Sequence, residues 1–209
     1  MIYFTIATLW GYSLFKDSYY LTPLLLGKGD MLLTGRDYPV HPFPLSVKIY
    51  YLGTMGYHFY SLLYHAFAKA RNDFIEMFLH HSVTILLYGF SYYCSFTVSG
   101  AIIMYLHDIA DVFTSGIRAF AETTYSKISV FFAIMMTVSW FYTRILVFPL
   151  VIYESTFATV YADSNDIITR PLMHLKLFLI ILQVLHVYWF YVLLLALNKY
   201  LSKGKIADN

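Results

Sequence analysis

Long apolar runs broken by short polar clusters set the pattern of this chain. Crossing roughly 30 Å of hydrocarbon takes about 20 apolar residues in a helix that rises ~1.5 Å per residue. Runs of that kind predict helices at Ile2–Phe15, Lys48–Ala68, Phe74–Phe96, Ser99–Ile117, Ile128–Tyr153 and Leu175–Asn198. The first is short for a span, but it has neither a basic leader nor a small-residue cleavage site, so it reads as a tilted or shortened helix and not as a signal peptide. Lys16–Ser46 holds four of the six prolines together with Gly27, Gly29 and Gly35, and reads as a loop or re-entrant segment at the interface. Glu154–His174 reads as the second long loop. The other connections are tight, which predicts one domain over residues 1–209, an all-α, polytopic transmembrane bundle of about six helices.

Composition makes the solvent explicit. With 59% hydrophobic, 20% aromatic and only 12% charged residues, the chain lies far from the soluble average of about 25% charged, and reads as an integral membrane protein. The net charge of +2 and the lack of any stretch combining basic residues with exposed aromatics exclude a nucleic-acid partner. Cys94 is the only cysteine, which excludes an internal disulfide and a thiolate metal site. Six spans place both termini on one side with the short basic loops Lys69–Asp73 and Arg118–Lys127 and the Lys199–Asp208 tail, so that side is oriented toward cytosol or an equivalent compartment.

Against this background five polar groups stand out: His80 and His81 in the third predicted helix, and His107, Asp108 and Asp111 in the fourth. An ionisable group in a lipid-spanning helix costs several kcal/mol unless it finds a partner, so such residues are functional candidates by default. His80 lies about six residues inside its helix and Asp111 about six residues before the end of the next, which puts both roughly 9 Å below the same face. Glu76, His80 and Thr84 follow one another at i,i+4 on one helix face, and Glu76 is placed to hold a ring nitrogen of His80. Arg144 in the fifth span reads as a partner for a carboxylate or a loop carbonyl. His58, His65, His174 and His186, taken singly, read as hydrogen-bonding glue between helices, and inert mutual pairing stays open for the cluster as well. Adjacent histidines point about 100° apart on a helix, and the central spans hold no i,i+4 pair of histidines, so no metal is expected.

The run Arg71-Asn72-Asp73-Phe74-Ile75-Glu76-Met77, then His80-His81-Ser82-Val83-Thr84, Ser91-Tyr92, Gly100 and Tyr105-Leu106-His107-Asp108-Ile109-Ala110-Asp111 resembles the signature of ceramide synthases in the TLC-domain superfamily. Flanking pieces are similar too: Tyr38-Pro39-Val40-His41-Pro42, Tyr50-Tyr51-Leu52, Thr143-Arg144 with Phe148-Pro149, and Leu185-His186-Val187-Tyr188-Trp189. The resemblance covers the TLC core; the amino-terminal helix usual in ceramide synthases has no counterpart in these residues. The chain also departs from the family at Val98-Ser99, where an Arg usually precedes the glycine, and at Thr114-Ser115, where a Leu-Glu is usual.

The resemblance implies transfer of a fatty acyl group from acyl-CoA, a co-substrate and not a resident cofactor, to a sphingoid base, with a place in sphingolipid metabolism. It makes His80 the nucleophile; a neutral imidazole can attack a thioester and hand the acyl group to an amine. Asp111 then serves as proton acceptor for the amine with Asp108 supporting it, His81 and His107 as donors to the oxyanion or the leaving thiolate, and Lys69, Arg71, Arg118 and Lys127 as a basic rim for CoA phosphates. Membrane lipids and other membrane subunits are the expected partners, with the endoplasmic reticulum as the implied location and the mitochondrial inner membrane as an alternative. Because the departures fall on groups that would support the reacting residues, a catalytically inactive TLC-fold subunit, structural or lipid-binding within a larger membrane complex, is the competing expectation.

Overall fold

A computed structural model describes residues 1–18, 21–29, 44–69, 73–120, 126–156 and 166–203, with backbone alone at 126, 127, 154–156, 166–173 and 200–203. The elements are α1 (Ile2–Phe15), a short turn of 3₁₀ helix at Pro23–Leu25, α2 (Leu45–Phe67), α3 (Phe74–Tyr93), α4 (Thr97–Phe120), α5 (Ser126–Trp140), a π-helical segment at Phe141–Val147, α6 (Phe148–Thr156) and α7 (Asp166–Lys203). No strand occurs among the described residues.

The α3–α4 turn fixes the depth of the central residues. Ser95 takes a left-handed conformation, φ 62°. Its N–H donates to Tyr92 O at 3.2 Å, and the Phe96 N–H donates to Ser91 O at 2.7 Å. This is the Schellman arrangement, which ends one helix abruptly and starts the next at once. His80 and Asp111 are nearly equidistant from Ser95 along the chain, so the antiparallel hairpin returns them to the same level.

α4 occupies the middle of the bundle and packs against α1, α2, α3, α5, the π segment and α6. Over half of its 24 residues are buried, in keeping with its small and apolar Gly100, Ala101, Ile102, Ile103, Met104 and Leu106. Gly100 allows a close approach: a Cβ there would stand 2.7 Å from Ser91 Oγ and 2.9 Å from the Tyr51 ring. Tyr51 is itself held, its hydroxyl donating to Tyr88 O at 2.8 Å and hydrogen-bonded to Ser91 Oγ. α7 closes the bundle against α3, α5, the π segment and α6.

The outer surface is apolar, with Leu9, Phe59, Phe67, Ile75, Val138 and Val184 exposed. Surface of this kind suits lipid, since water-soluble monomers rarely expose large contiguous apolar patches. Among the described residues Ile128–Tyr153 and His174–Lys199, each of 26 residues with mean hydropathy 1.7 and 2.2, are long and apolar enough to cross a membrane. The chain is an integral membrane helical bundle of about six helices.

One expectation needs correction. Glu154–His174 is not a loop throughout, because α6 runs on to Thr156 and α7 begins at Asp166. Pro171 lies so near the start of a 38-residue helix that it forfeits only one backbone hydrogen bond, which the rest of the helix outweighs. The fifth span is not uniform either: at the π segment the Phe148 N–H reaches back to Thr143 O, one residue further than in an α-helix. Pro149 has no N–H, and its ring crowds the carbonyl four residues earlier, so widening the turn ahead of it relieves the conflict.

Candidate active site

The widened turn carries Arg144, 2% exposed, into the middle of the bundle. Its Nη2 donates to Asp111 Oδ1 at 2.9 Å and to the His107 carbonyl at 3.1 Å. Its Nη1 lies 3.2 Å from His186 Nε2, and its Cζ sits 4.3 Å from the centre of the Trp140 ring. One guanidinium thus ties α4, α7 and the π segment together through charge-assisted hydrogen bonds and a cation–π contact. Of the partners expected for Arg144 the carboxylate is found; the carbonyl is that of His107 inside α4 and not one of a loop.

His107 and His186 form the next layer. His107 Nδ1 donates to Ile103 O at 2.6 Å, since a carbonyl only accepts, and this leaves Nε2 of a neutral ring as an acceptor. That atom lies 3.3 Å from His186 Nε2. Arg144 can only donate, so His186 Nε2 faces one donor and one acceptor, and a neutral ring satisfies one of them at a time. His186 Nδ1 is buried with no partner. The pair is a proton position with two settings, walled by Phe148 and Trp140, whose rings lie 5.1 and 5.9 Å from that of His186.

His80 joins from α3. Its ring centroid is 6.3 Å from His186, 5.1 Å from Trp189 and 5.5 Å from His81. Nδ1 of both His80 and His81 is buried without a hydrogen-bond partner. Glu76 makes no hydrogen bond to His80 in this structure, contrary to expectation: both side chains are half-buried on α3, and i,i+4 spacing alone does not bring a carboxylate onto a ring nitrogen. His81 turns the other way, toward His65 at 5.7 Å.

The two carboxylates of α4 part company. Asp111 is ion-paired with Arg144, whereas Asp108, fully buried, receives only a long 3.4 Å hydrogen bond from the Tyr50 hydroxyl. Of the basic rim, Lys69 and Arg118 are exposed, while Arg71 and the Lys127 side chain lie outside the described residues. No group of three or more His, Cys, Asp or Glu among the described residues is arranged to hold a metal ion. His186 was missed as a site residue. The signal was present, a histidine in the middle of a strongly apolar span, but it has no ionisable neighbour in sequence and gains its partners only through the fold.

A family model described as the TLC domain matches residues 1–195. Among curated proteins the chain is 34% identical to ceramide synthase LOH2 of Arabidopsis thaliana, over 86% of this chain and 62% of the relative. It is 32% identical to ceramide synthase 4 of Mus musculus, over 85% of this chain and 44% of the relative. With ceramide synthase hyl-1 of Caenorhabditis elegans it shares 27% identity over 99% of this chain and 57% of that one. The chain spans about half the length of the curated relatives it matches.

Proposed function

The chain belongs to the TLC domain family, and on that premise we propose that it is a ceramide synthase-like N-acyltransferase, moving a fatty acyl group from acyl-CoA to the amine of a sphingoid base. The observation that carries this reading is the convergence of His80, His186, His107 and the Asp111–Arg144 pair from α3, α4, the π segment and α7, in a chain similar to proteins named ceramide synthases. Endoplasmic reticulum, with other membrane subunits as partners, is the setting that the likeness favours.

The chemistry runs in two balanced halves. The imidazole of His80 attacks the thioester carbonyl, the carbon–sulfur bond breaks, and the ring proton ends on the departing thiol, leaving a neutral acyl-imidazole. The ammonium of the second substrate gives one proton to Asp111; the free amine attacks the acyl carbon, and the imidazole leaves with one of the amine's two remaining protons while the other stays on the amide nitrogen. His186, next to His80 and with two proton settings, is suited to relay the ring proton of His80 toward the departing thiol in the first half.

The test is amide formation from acyl-CoA and a long-chain amine by protein reconstituted in lipid. Wild type turns over, and His80→Ala falls by at least about a thousandfold while keeping its melting temperature, because a covalent step is deleted and only a small void is left. One observation favours a second reading, a catalytically silent subunit: Nδ1 of His80 has no partner to orient the ring. Wild type without turnover, alone and with its partners, establishes that second reading.

A further inference from the structure

Five of the chain's eight histidines stand in single file. From the end of α2 inward, His65 lies 5.7 Å from His81, His81 5.5 Å from His80, His80 6.3 Å from His186 and His186 5.0 Å from His107, all between ring centroids. The innermost pair calibrates the others: at 5.0 Å between centroids its nitrogens approach to 3.3 Å. Rings 5.5–6.3 Å apart are therefore within one hydrogen bond of each other, or within two that share a single water. Phe74 stacks on His65 at 4.7 Å, Trp189 stands 5.1 Å from His80, and Trp140 and Phe148 flank His186, so apolar rings line the file at its outer end, middle and inner end. Histidines that merely glue helices together spend their nitrogens on hydrogen bonds. Here Nδ1 of His81, His80 and His186, three rings in succession, is buried without a partner, at a cost of about 1–3 kcal/mol each.

The two ends of the file differ. At the inner end His107 Nδ1 is committed to Ile103 O, which closes it. At the outer end His65 sits half-buried in the last turn of α2, with Phe67 and Lys69 exposed just beyond. Its Nε2 donates to Phe74 O at 3.0 Å, since a carbonyl only accepts, and Nδ1 of the neutral ring is left to accept an arriving proton. An imidazole takes up and gives back protons near neutral pH, so rings in such a file can pass them along. The reaction proposed above supplies one: a thioester and an ammonium give an amide, a thiol and one proton, which Asp111 holds and must lose before the next turnover. Asp111 and His186 are neighbours on one guanidinium, 2.9 and 3.2 Å from Arg144, so the carboxyl lies beside the inner part of the file. We propose that His65 is the outlet of a proton path, His186–His80–His81–His65, which carries that proton out of the bundle to water at the end of α2. His65 touches neither substrate and acts through the other rings. An acyl group on His80 interrupts the path, so the proton leaves only after the amide has formed.

The purpose of the path rests on the acyltransferase reading, but its existence does not, and two measurements separate them. In the full chain, purified in detergent with isotope-labelled histidine, exchange of the ring N–H protons of His107 and His186 into heavy water is followed by NMR. His65→Gln keeps a donor for Phe74 O, but its amide does not take up a proton at neutral pH. It is expected to slow the exchange by at least about tenfold, while His174→Gln, outside the file, leaves it unchanged. In lipid with acyl-CoA and a long-chain amine, His65→Gln is expected to give its first burst of amide at the wild-type rate and then to turn over at least about tenfold more slowly, with the rate restored by added imidazole. Exchange at the wild-type rate in His65→Gln overturns the proposal, and so does a turnover loss that imidazole does not restore. Steady turnover at the wild-type rate overturns it as well, since Asp111, its side chain 23% exposed, then releases its proton directly. Should His65→Gln fail to fold, His65→Phe, which keeps the stack on Phe74, is read by the same criteria. Slowed exchange in His65→Gln beside a wild type that makes no amide leaves the path standing and removes the acyltransferase reading.

Discussion

Two ion pairs in this molecule look alike by distance and differ in everything else. Lys28 Nζ lies 2.6 Å from Asp17 Oδ1, with side-chain exposures of 76% and 63%. Arg144 Nη2 lies 2.9 Å from Asp111 Oδ1, with exposures of 2% and 23%. The shorter contact is the weaker one. In water the attraction of two unit charges is about 1 kcal/mol at 4 Å and is offset by the entropy of holding two long side chains still. In the bundle the same attraction is several times larger, but so is the cost of removing the charges from water, and only the complete network of Asp111, the His107 carbonyl, His186 and Trp140 balances it. Reach differs as well: Lys28 closes a local turn, while Arg144 connects elements far apart in sequence.

The largest effect is therefore expected from breaking the buried pair on one side. Arg144→Met leaves Asp111 without its counter-charge and should cost about 3–5 kcal/mol, read as a fall in the detergent melting temperature or loss of folded protein. Adding Asp111→Leu to Arg144→Met should restore most of that stability, since an apolar pair of similar volume avoids the desolvation altogether. Acyl transfer should remain lost in the double variant. A single Arg144→Met that melts like wild type would mean that the network contributes nothing to the fold.

The same contrast explains what the chain disclosed before its structure. Helix positions, the shared depth of His80 and Asp111 and the carboxylate partner of Arg144 were legible because they follow from apolar run length, from 3.6-residue periodicity and from the high cost of an unpaired charge in lipid. His186 was not, because its partners come from α4 and the π segment, and no local pattern announces them. Nor was the widened turn that aims Arg144, although Pro149 five residues on was the available cue. Glu76 was assigned to His80 on i,i+4 spacing alone, and spacing says which groups share a face without saying how deep a carboxylate will follow. The separation of Asp108 from Asp111 was hidden for the opposite reason: i,i+3 spacing suggested a joint site, and the packing of Tyr50 against one and Arg144 against the other divided it.

An uncharged control within the buried half sharpens the comparison. Gly100→Ala adds a methyl that meets Ser91 Oγ at 2.7 Å and the Tyr51 ring at 2.9 Å. Ser91 can turn away only by giving up its hydrogen bond to Tyr51, and Tyr51, fully buried, is anchored to Tyr88 O. Overpacking of this kind costs about 1–3 kcal/mol, less than an orphaned charge, and should appear as a smaller fall in melting temperature than that of Arg144→Met. An undiminished melting temperature would show that the α2–α4 contact is looser than its packing indicates.

The smallest effect belongs to the exposed pair, and its pH dependence gives a sign as well as a size. The hydrogen bond and charge of Lys28 hold the Asp17 carboxyl below the usual carboxylate range. A group depressed in the folded state contributes stability that is present above its unfolded value of about 3.9 and is lost as pH falls through the lower, folded value. Removing the pair should therefore matter, if anywhere, near neutral pH and not in acid. Both side chains stand in water, where such pairs contribute little, so Lys28→Met is expected to leave the melting temperature at pH 7 within error of wild type. Raising salt to screen the pair should do the same. A clear loss of stability at pH 7 that vanishes in acid would show that the turn after α1 is held by this contact and that exposure is a poor guide to the strength of ion pairs at the edge of this bundle.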